Sequence, residues 1–160
     1  KDQSFKISSN KPFAEYEEAK QAGFNTKPVI LGPLSFLLLG KGIDGANTID
    51  LLDKIVPVYK EVVKKFAELG AEWIQIDEPI LVKDLDSNVV SKIKNTLNEL
   101  KQAAGSSKIL LTTYFEDLNE DVKEEVFASD VDVIHLDLVR GTKNKGYVKN
   151  SKKQLSLGCL

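Results

Sequence analysis

The stretch Trp73-Ile74-Gln75-Ile76-Asp77-Glu78-Pro79 decides the fold of this chain. Its apolar residues predict a strand that is buried on both faces, and a proline stops that strand directly after two adjacent carboxylates. In parallel α/β barrels, side chains at the carboxyl ends of the strands carry binding and catalysis. Asp77 and Glu78 are therefore candidate site residues. Because neighbouring residues on a strand point to opposite faces, only one of them can point into a barrel mouth.

Two interpretations of Asp77 and Glu78 remain open at the level of the sequence. In the first, either carboxylate acts as a general base, a ligand for a substrate amine or a ligand for a metal. In the second, one of them caps a neighbouring loop and the other is solvated.

Apolar strands and one-faced helices alternate along the rest of the chain. Strict alternation of this kind indicates a parallel sheet with helices packed on its outside. Leu34–Leu39 is ambiguous between a helical turn and a strand, and Gly141–Gly146 is predicted to be a loop. Further strands are predicted at Lys27–Leu31, Ile109–Tyr114, Val131–Leu136 and Leu155–Leu160, and helices at Pro12–Gly23, Asn47–Leu69, Ser87–Ala104 and Asn119–Ala128.

The pattern predicts an α/β fold, part of a (β/α)8 TIM-type barrel with about five parallel strands and outer helices. A complete barrel takes about 250 residues, whereas this chain has 160. We therefore expect an incomplete barrel that forms a single partial domain over residues 1–160. A small doubly wound sheet is the alternative, but Gly40–Gly45 lacks the spacing of a nucleotide-binding loop. The chain contains no methionine, even at position 1, so we expect either that it does not begin at a translation start or that it was processed.

Charge and composition do not favour binding to nucleic acid or to a membrane. The net charge of −2 gives no electrostatic attraction to nucleic acid or an anionic membrane. The longest apolar run, Leu34–Leu39, is far shorter than the roughly 20 residues that span a bilayer. A single cysteine excludes an internal disulfide, so we expect a reducing compartment, the cytoplasm.

A few other polar residues lie at or near strand ends. His135 is the only histidine, and we expect it to be hydrogen-bonded structure, with Asp137 on the same strand face as a partner. Cys159 is expected to be a small buried thiol. One histidine and one cysteine could form a protein-only zinc site only with added carboxylates, which is uncommon for structural zinc.

Four motifs follow one another along the chain, at Lys27–Leu39, Ala71–Pro79, Leu110–Phe115 and His135–Gly141. In order and spacing they resemble those of the cobalamin-independent methionine synthases, and the resemblance covers essentially the whole chain. It implies a zinc-dependent methyl transfer from polyglutamylated 5-methyltetrahydrofolate to homocysteine, in an enzyme with two (β/α)8 barrels face to face. The chain is closer to the N-terminal barrel, from its interior to its C-terminal portion, and the catalytic zinc would belong to the other barrel.

The resemblance also implies that the zinc-ligand positions are degenerate here. A histidine ligand falls on Leu111, a cysteine ligand on Thr113 and a glutamate ligand on Asp137. Asp77 matches an aspartate that holds the homocysteine amino group, and a second family acid falls on Lys83. Leucine offers no lone pair, and a threonine hydroxyl is a poor zinc ligand.

We therefore expect no zinc bound to this chain, no firm catalytic residue and no activity of the chain alone. Its partner would be the catalytic barrel in the remainder of the polypeptide, with homocysteine and the folate as substrates of the whole enzyme. The residues that contact the folate would lie upstream of Lys1. Two other hypotheses remain: a standalone barrel-like enzyme that uses Asp77 or Glu78 as acid or base, and a non-enzymatic interaction module with open strand edges.

Overall fold

The computed structural model of the protein describes residues 3–149 and 151–159, in which strands and helices alternate. Short 3₁₀ turns at Ile43–Gly45, Thr48–Leu51 and Pro79–Val82 lie between these elements. None of the helices in these two ranges is long and apolar enough to cross a membrane. The elements are α1 (Lys11–Gln21), β1 (Val29–Leu31), α2 (Pro33–Leu39), α3 (Leu52–Glu68), β2 (Trp73–Asp77), α4 (Ser87–Ala104), β3 (Lys108–Thr112), α5 (Glu120–Phe127), β4 (Val133–Asp137), α6 (Asn144–Val148) and β5 (Gln154–Gly158).

The strands form one parallel sheet in the order β1-β2-β3-β4-β5. Each strand pairs with the next one along the chain, and the helices between them pack on the sheet. This confirms the predicted α/β fold with five parallel strands and outer helices. Within the described ranges β1 and β5 are the two edges of the sheet, so the barrel is not closed.

The two faces of the sheet have different environments. On β2, fully buried Ile74 and Ile76 alternate with half-buried Trp73, Gln75 and Asp77. The buried set belongs to the hydrophobic core shared with the helices. The opposite face, which we call the interior face, corresponds to the inside of a barrel, and it is only partly covered because the sheet is open.

Aromatic residues join α1 to α3 within this core. The ring centroids of Phe13 and Phe66 lie 4.7 Å apart, and Tyr16 meets Phe66 edge-on at 6.0 Å. Phe66 is fully buried. This cluster therefore joins α1 to α3 within the same hydrophobic core to which Ile74 and Ile76 of β2 belong.

Most predicted boundaries differ from the structure by one or two residues, but the helix predicted from Asn47 begins at Leu52, because Thr48–Leu51 forms a 3₁₀ turn. Leu34–Leu39 is a helix, because Pro33 starts it and backbone N–H groups at its first turn find an acceptor described below. The predicted loop Gly141–Gly146 contains the start of α6. The sequence predicts a loop there because glycine is unfavourable within helices. Cys159 is exposed, because it follows the edge strand β5. The last predicted strand, Leu155–Leu160, runs from Gln154 to Gly158, and Leu160 lies outside the described residues.

Phe66→Ala is expected to lower the free energy of unfolding by about 3–5 kcal/mol, because it removes a fully buried ring that two other aromatic residues contact. Urea unfolding followed by circular dichroism measures this loss. Phe24→Ala is the matched control, since Phe24 is 66% exposed. Equal losses at the two positions would contradict the packing described above.

Candidate functional site

Glu78 is a fully buried carboxylate at the carboxyl end of the sheet. Its Oε1 accepts a hydrogen bond from the backbone N–H of Leu34 at 3.0 Å, and its Oε2 accepts one from the backbone N–H of Ser35 at 2.7 Å. Both donors lie in the first turn of α2, where backbone N–H groups have no partner within the helix. Glu78 therefore caps the loop that follows β1 from its own position after β2.

The packing around this carboxylate requires a glycine at position 32. A Cβ atom on Gly32 would lie 2.1 Å from Oε1 of Glu78. The backbone also joins the end of β1 to the end of β2, because the N–H of Gly32 donates to the carbonyl of Asp77 at 2.8 Å. In addition, the N–H of Ile80 donates to the hydroxyl of Ser35 at 3.2 Å. The loops after β1 and β2 are thus joined by side-chain and backbone contacts.

Burial dominates the acid–base behaviour of Glu78. It raises the pKa of this carboxyl to about 7, even though hydrogen bonds from Ser35 and Leu34 favour the ionised form. The neighbouring Asp77 carboxylate raises the pKa further. Burial, and then the Glu78 charge, also raise the pKa of Tyr59 above its ordinary value. A proton on Glu78 would compete with the two backbone donors for the same oxygen atoms.

Asp77 lies on the interior face and is half-buried. Its Oδ1 accepts a hydrogen bond from Nε2 of Gln75, and its Oδ2 accepts one from the hydroxyl of Tyr114, both at 2.7 Å. Burial, followed by the hydrogen bond to Asp77, raises the pKa of Tyr114 to about 12. Glu78 thus caps a loop. Asp77, which the second interpretation expects to be solvated, instead accepts hydrogen bonds from two neutral side chains.

The register of the sheet places Asp77 in a polar row with Thr112, His135 and Ser156. Nδ1 of His135 lies 2.9 Å from Oγ of Ser156, a contact that links β4 to β5. Burial lowers the pKa of His135, although the nearby Asp137 and Asp77 charges act in the opposite direction. Among the described residues, Oγ1 of Thr112 is a buried polar atom without a hydrogen-bond partner.

The positions that the resemblance relates to zinc ligands have other roles here. Leu111 is fully buried in the core. The hydroxyl of Thr113 donates to the carbonyl of His135 at 2.9 Å. Asp137 was expected to pair with His135, but its Oδ1 instead accepts hydrogen bonds from the backbone N–H groups of Val139 and Arg140, at 2.8 and 3.0 Å.

This donor set does not fit zinc, since leucine has no lone pair, a threonine hydroxyl is a poor ligand and Oδ1 of Asp137 already accepts two backbone hydrogen bonds. In residues 3–149 and 151–159, no group of three or more His, Cys, Asp or Glu side chains is arranged to hold a metal ion. Lys83, where the resemblance implies an acid, forms an exposed ion pair with Glu116 at 3.5 Å.

Asn144 is a buried residue that the sequence reasoning missed. Its Nδ2 donates to the carbonyl oxygen atoms of Asp137 and Glu116, at 2.9 and 3.3 Å, and its Oδ1 accepts from the N–H of Leu118 at 3.2 Å. A Cβ atom on Gly141 would lie 2.4 Å from Nδ2 of Asn144. The sequence signal that could have indicated this residue is its place three residues after Gly141, in the segment that follows β4.

Comparison with known proteins gives a consistent result along the whole chain. A family model described as "Cobalamin-independent synthase, N-terminal domain" matches residues 1–160. A protein named 5-methyltetrahydropteroyltriglutamate–homocysteine methyltransferase from Xylella fastidiosa strain M23 is 45% identical over 151 residues, which are 94% of this chain. A protein of the same name from Rhodopseudomonas palustris is 42% identical over 99% of this chain. The chain spans 20% of the length of each of these curated relatives.

Two solved structures share the fold. A B12-independent methionine synthase from Shewanella, in complex with selenomethionine, superposes with a TM-score of 0.65 at 16% identity and covers 96% of this chain and 50% of its own. A methyltransferase from Methanosarcina mazei superposes with a TM-score of 0.64 at 14% identity, over 87% of this chain and 45% of its own.

Gly32→Ala is expected to lower the free energy of unfolding by about 1–3 kcal/mol, because the new methyl group would overlap the Glu78 carboxylate. The loss should be smaller when Glu78 is already alanine, since that change removes the atoms in the way. A double-mutant cycle measured by urea unfolding gives the coupling between the two positions. Additive losses would show that the methyl group meets some other obstacle.

The stability of the protein is expected to depend on pH through Glu78. Its folded pKa of about 7 lies above the ordinary value of 4.5. The folded protein therefore holds this proton more tightly, and the stabilisation is complete below pH 4.5 and lost as the pH rises through 7. Between these values the unfolding free energy of the wild type should fall by about 3 kcal/mol relative to Glu78→Gln.

Urea unfolding at a series of pH values measures this difference. The exposed Glu61→Gln serves as the matched control and should follow the wild type. If the curves of the wild type and of Glu78→Gln ran parallel from pH 4.5 to 7, Glu78 would not titrate in this window.

Proposed function

Because this chain belongs to the cobalamin-independent synthase family, whose N-terminal domain it matches, we propose that it is a non-catalytic segment of a methyltransferase. The names of its relatives indicate the reaction of the whole enzyme: a methyl group moves from 5-methyltetrahydropteroyltriglutamate to homocysteine, which becomes methionine. The segment would shape and support the site at which the rest of the polypeptide carries out that reaction.

The observation that carries this proposal is the state of the three degenerate ligand positions. Leu111 lies in the core, Thr113 donates to a backbone carbonyl and Asp137 accepts two backbone N–H groups. Thr113 and Asp137 thus stabilise the ends of β3 and β4, and neither leucine nor threonine is a useful zinc ligand. Any zinc that activates the homocysteine thiol would then be bound outside this chain, where it would lower the pKa of the thiol.

The proposal includes the place of the chain in the larger protein. It would form the interior to C-terminal portion of an N-terminal barrel, and the remaining strands of that barrel would cover the interior face. The catalytic barrel would be its partner within the same polypeptide, and the folate would bind to residues outside this chain. We propose the cytoplasm as the compartment, since a single cysteine suits reducing conditions.

A standalone enzyme with Asp77 or Glu78 as acid or base is less well supported. Glu78 has no exposed surface, and both of its oxygen atoms already accept backbone hydrogen bonds. Asp77 is reachable, but both of its oxygen atoms accept hydrogen bonds from neutral side chains. A general base must reach the proton that it removes, so neither arrangement favours this alternative.

Asp77→Asn in the full polypeptide is expected to change kcat for methyl transfer by less than about threefold, whereas loss of a general base typically costs 10²–10⁴-fold. The assay follows methionine formation from homocysteine and the triglutamate methyl donor. Thr113→Ala provides a second test, because it should leave the zinc content of the full polypeptide unchanged in metal analysis.

Two outcomes would contradict the proposal. A loss of activity of 10²-fold or more in Asp77→Asn, with an unchanged circular dichroism spectrum, would make Asp77 catalytic. Stoichiometric zinc that disappears in Thr113→Ala would show that this chain supplies a metal ligand. Asn95→Ala is the control for these variants, because Asn95 is exposed. A variant of Gln75 would not serve, since Gln75 contacts Asp77.

A further inference from the structure

The carboxyl end of the sheet is held by two buried polar side chains that the proposed function does not use. Glu78 joins the loop after β1 to the loop after β2. Asn144 joins the loop after β3, through Glu116 and Leu118, to the end of β4 at Asp137. Each side chain comes from one loop and bonds to the backbone of its neighbour, so each fixes the relative position of two loops.

The contacts of Asn144 can be made only by an asparagine at this position. Its two amide hydrogens reach two carbonyl oxygen atoms, and its amide oxygen accepts from Leu118, so every polar atom of the side chain is used. Its backbone N–H also donates to Oδ1 of Asp117 at 3.0 Å. Aspartate would place a carboxylate oxygen against two carbonyl oxygen atoms, and any side chain on Gly141 would push into the amide.

The contacts between the two loop pairs are of a different kind. Lys83 pairs with Glu116 at 3.5 Å, and Nδ2 of Asn119 donates to Oδ1 of Asp84 at 2.9 Å. All four side chains are exposed. Exposed ion pairs and hydrogen bonds of this kind contribute little to stability. These exposed contacts form a weak outer boundary between the two loop pairs, whereas closer to the strands the hydroxyl of Tyr114 donates to Asp77 and the N–H of Glu78 donates to the carbonyl of Thr112.

A surface cavity of about 450 Å³ lies at that boundary, lined by residues that include Lys83, Asp84, Glu116, Asn119, Arg140 and Lys143. Its walls come from the loops after β2, β3 and β4. Asn144 fixes the wall that carries Glu116, whereas Glu78 lies at the start of the wall that carries Lys83. The shape of this surface therefore depends on the two buried side chains.

We infer that Glu78 and Asn144 are positioning residues, each of which locks one pair of loops so that the carboxyl end of the sheet is preformed for binding. A preformed surface loses less conformational entropy when it binds, so the locks contribute to affinity without touching a ligand. The effect of Glu78 and Asn144 on binding of the methyl donor rests on the proposed function. Their effect on the positions of the loops does not.

Hydrogen–deuterium exchange on the full polypeptide tests the locks by mass spectrometry of its peptides. Asn144→Asp should speed exchange about tenfold or more in residues 115–119 and 138–145, because a buried hydrogen-bonding group loses its partners. Glu78→Gln should do the same in residues 32–36 and 78–82. Each variant should leave the other loop pair and the peptide covering β3 within about twofold of the wild type.

Asn119→Ala is the matched control, since it removes an exposed contact between the loop pairs and should leave exchange in all four loops nearly unchanged. Faster exchange throughout the chain in Asn144→Asp or Glu78→Gln would mean that these residues serve general stability, and it would overturn the inference. Unchanged exchange in both variants would also overturn it. Exchange confined to the predicted loop pair supports it.

Steady-state kinetics test the consequence for binding. In Asn144→Asp, KM for the triglutamate methyl donor should rise several-fold while kcat changes by less than about twofold, since in the proposed function this chain supports the donor site from outside and looser loops would leave that support less ordered. Unchanged KM together with faster loop exchange would overturn the link between the locks and binding. If the wild-type polypeptide transferred no methyl group, the proposed function would fail, whereas the exchange pattern would still decide whether the locks exist.

Discussion

The burial of the Glu78 carboxylate against the backbone of α2 is the constraint on which the first half of the structure depends. A charged group inside a protein is costly unless strong donors surround it. Here the donors are the backbone N–H groups of Leu34 and Ser35, which would otherwise lack partners at the start of a helix. The arrangement requires a glycine at position 32 and brings the ends of β1 and β2 together.

The same principle appears on the other half of the sheet with an uncharged group. Asn144 satisfies two carbonyl oxygen atoms and one N–H at the ends of β3 and β4, and Gly141 makes room for it. Loops at the carboxyl end of a parallel sheet carry many polar backbone groups that the ladder does not pair. Buried side chains that pair them remove a desolvation cost and fix the loop geometry at once.

The polar residues at the ends of β3 and β4 show how side chains can hold the backbone of a barrel scaffold in place. Thr113 and Asp137 occupy positions that the resemblance relates to metal ligands, yet each is engaged in backbone hydrogen bonds. Leu111 extends the hydrophobic core at the third position. Such contacts stabilise the scaffold, which is consistent with a supporting part in a larger enzyme of this family.

The sequence alone determined the alternation of strands and helices, because hydrophobic periodicity reports which faces are buried, and it predicted helix Ser87–Ala104 at the bounds that the structure has. It left open whether Asp77 and Glu78 are functional or whether one of them caps a loop and the other is solvated. Tertiary structure decided that Glu78 meets α2 from 43 residues away along the chain, that Gly141–Gly146 contains a helix start, and that Cys159 is exposed at an edge strand. These features depend on partners distant in the sequence, and local residue patterns carry no information about such partners.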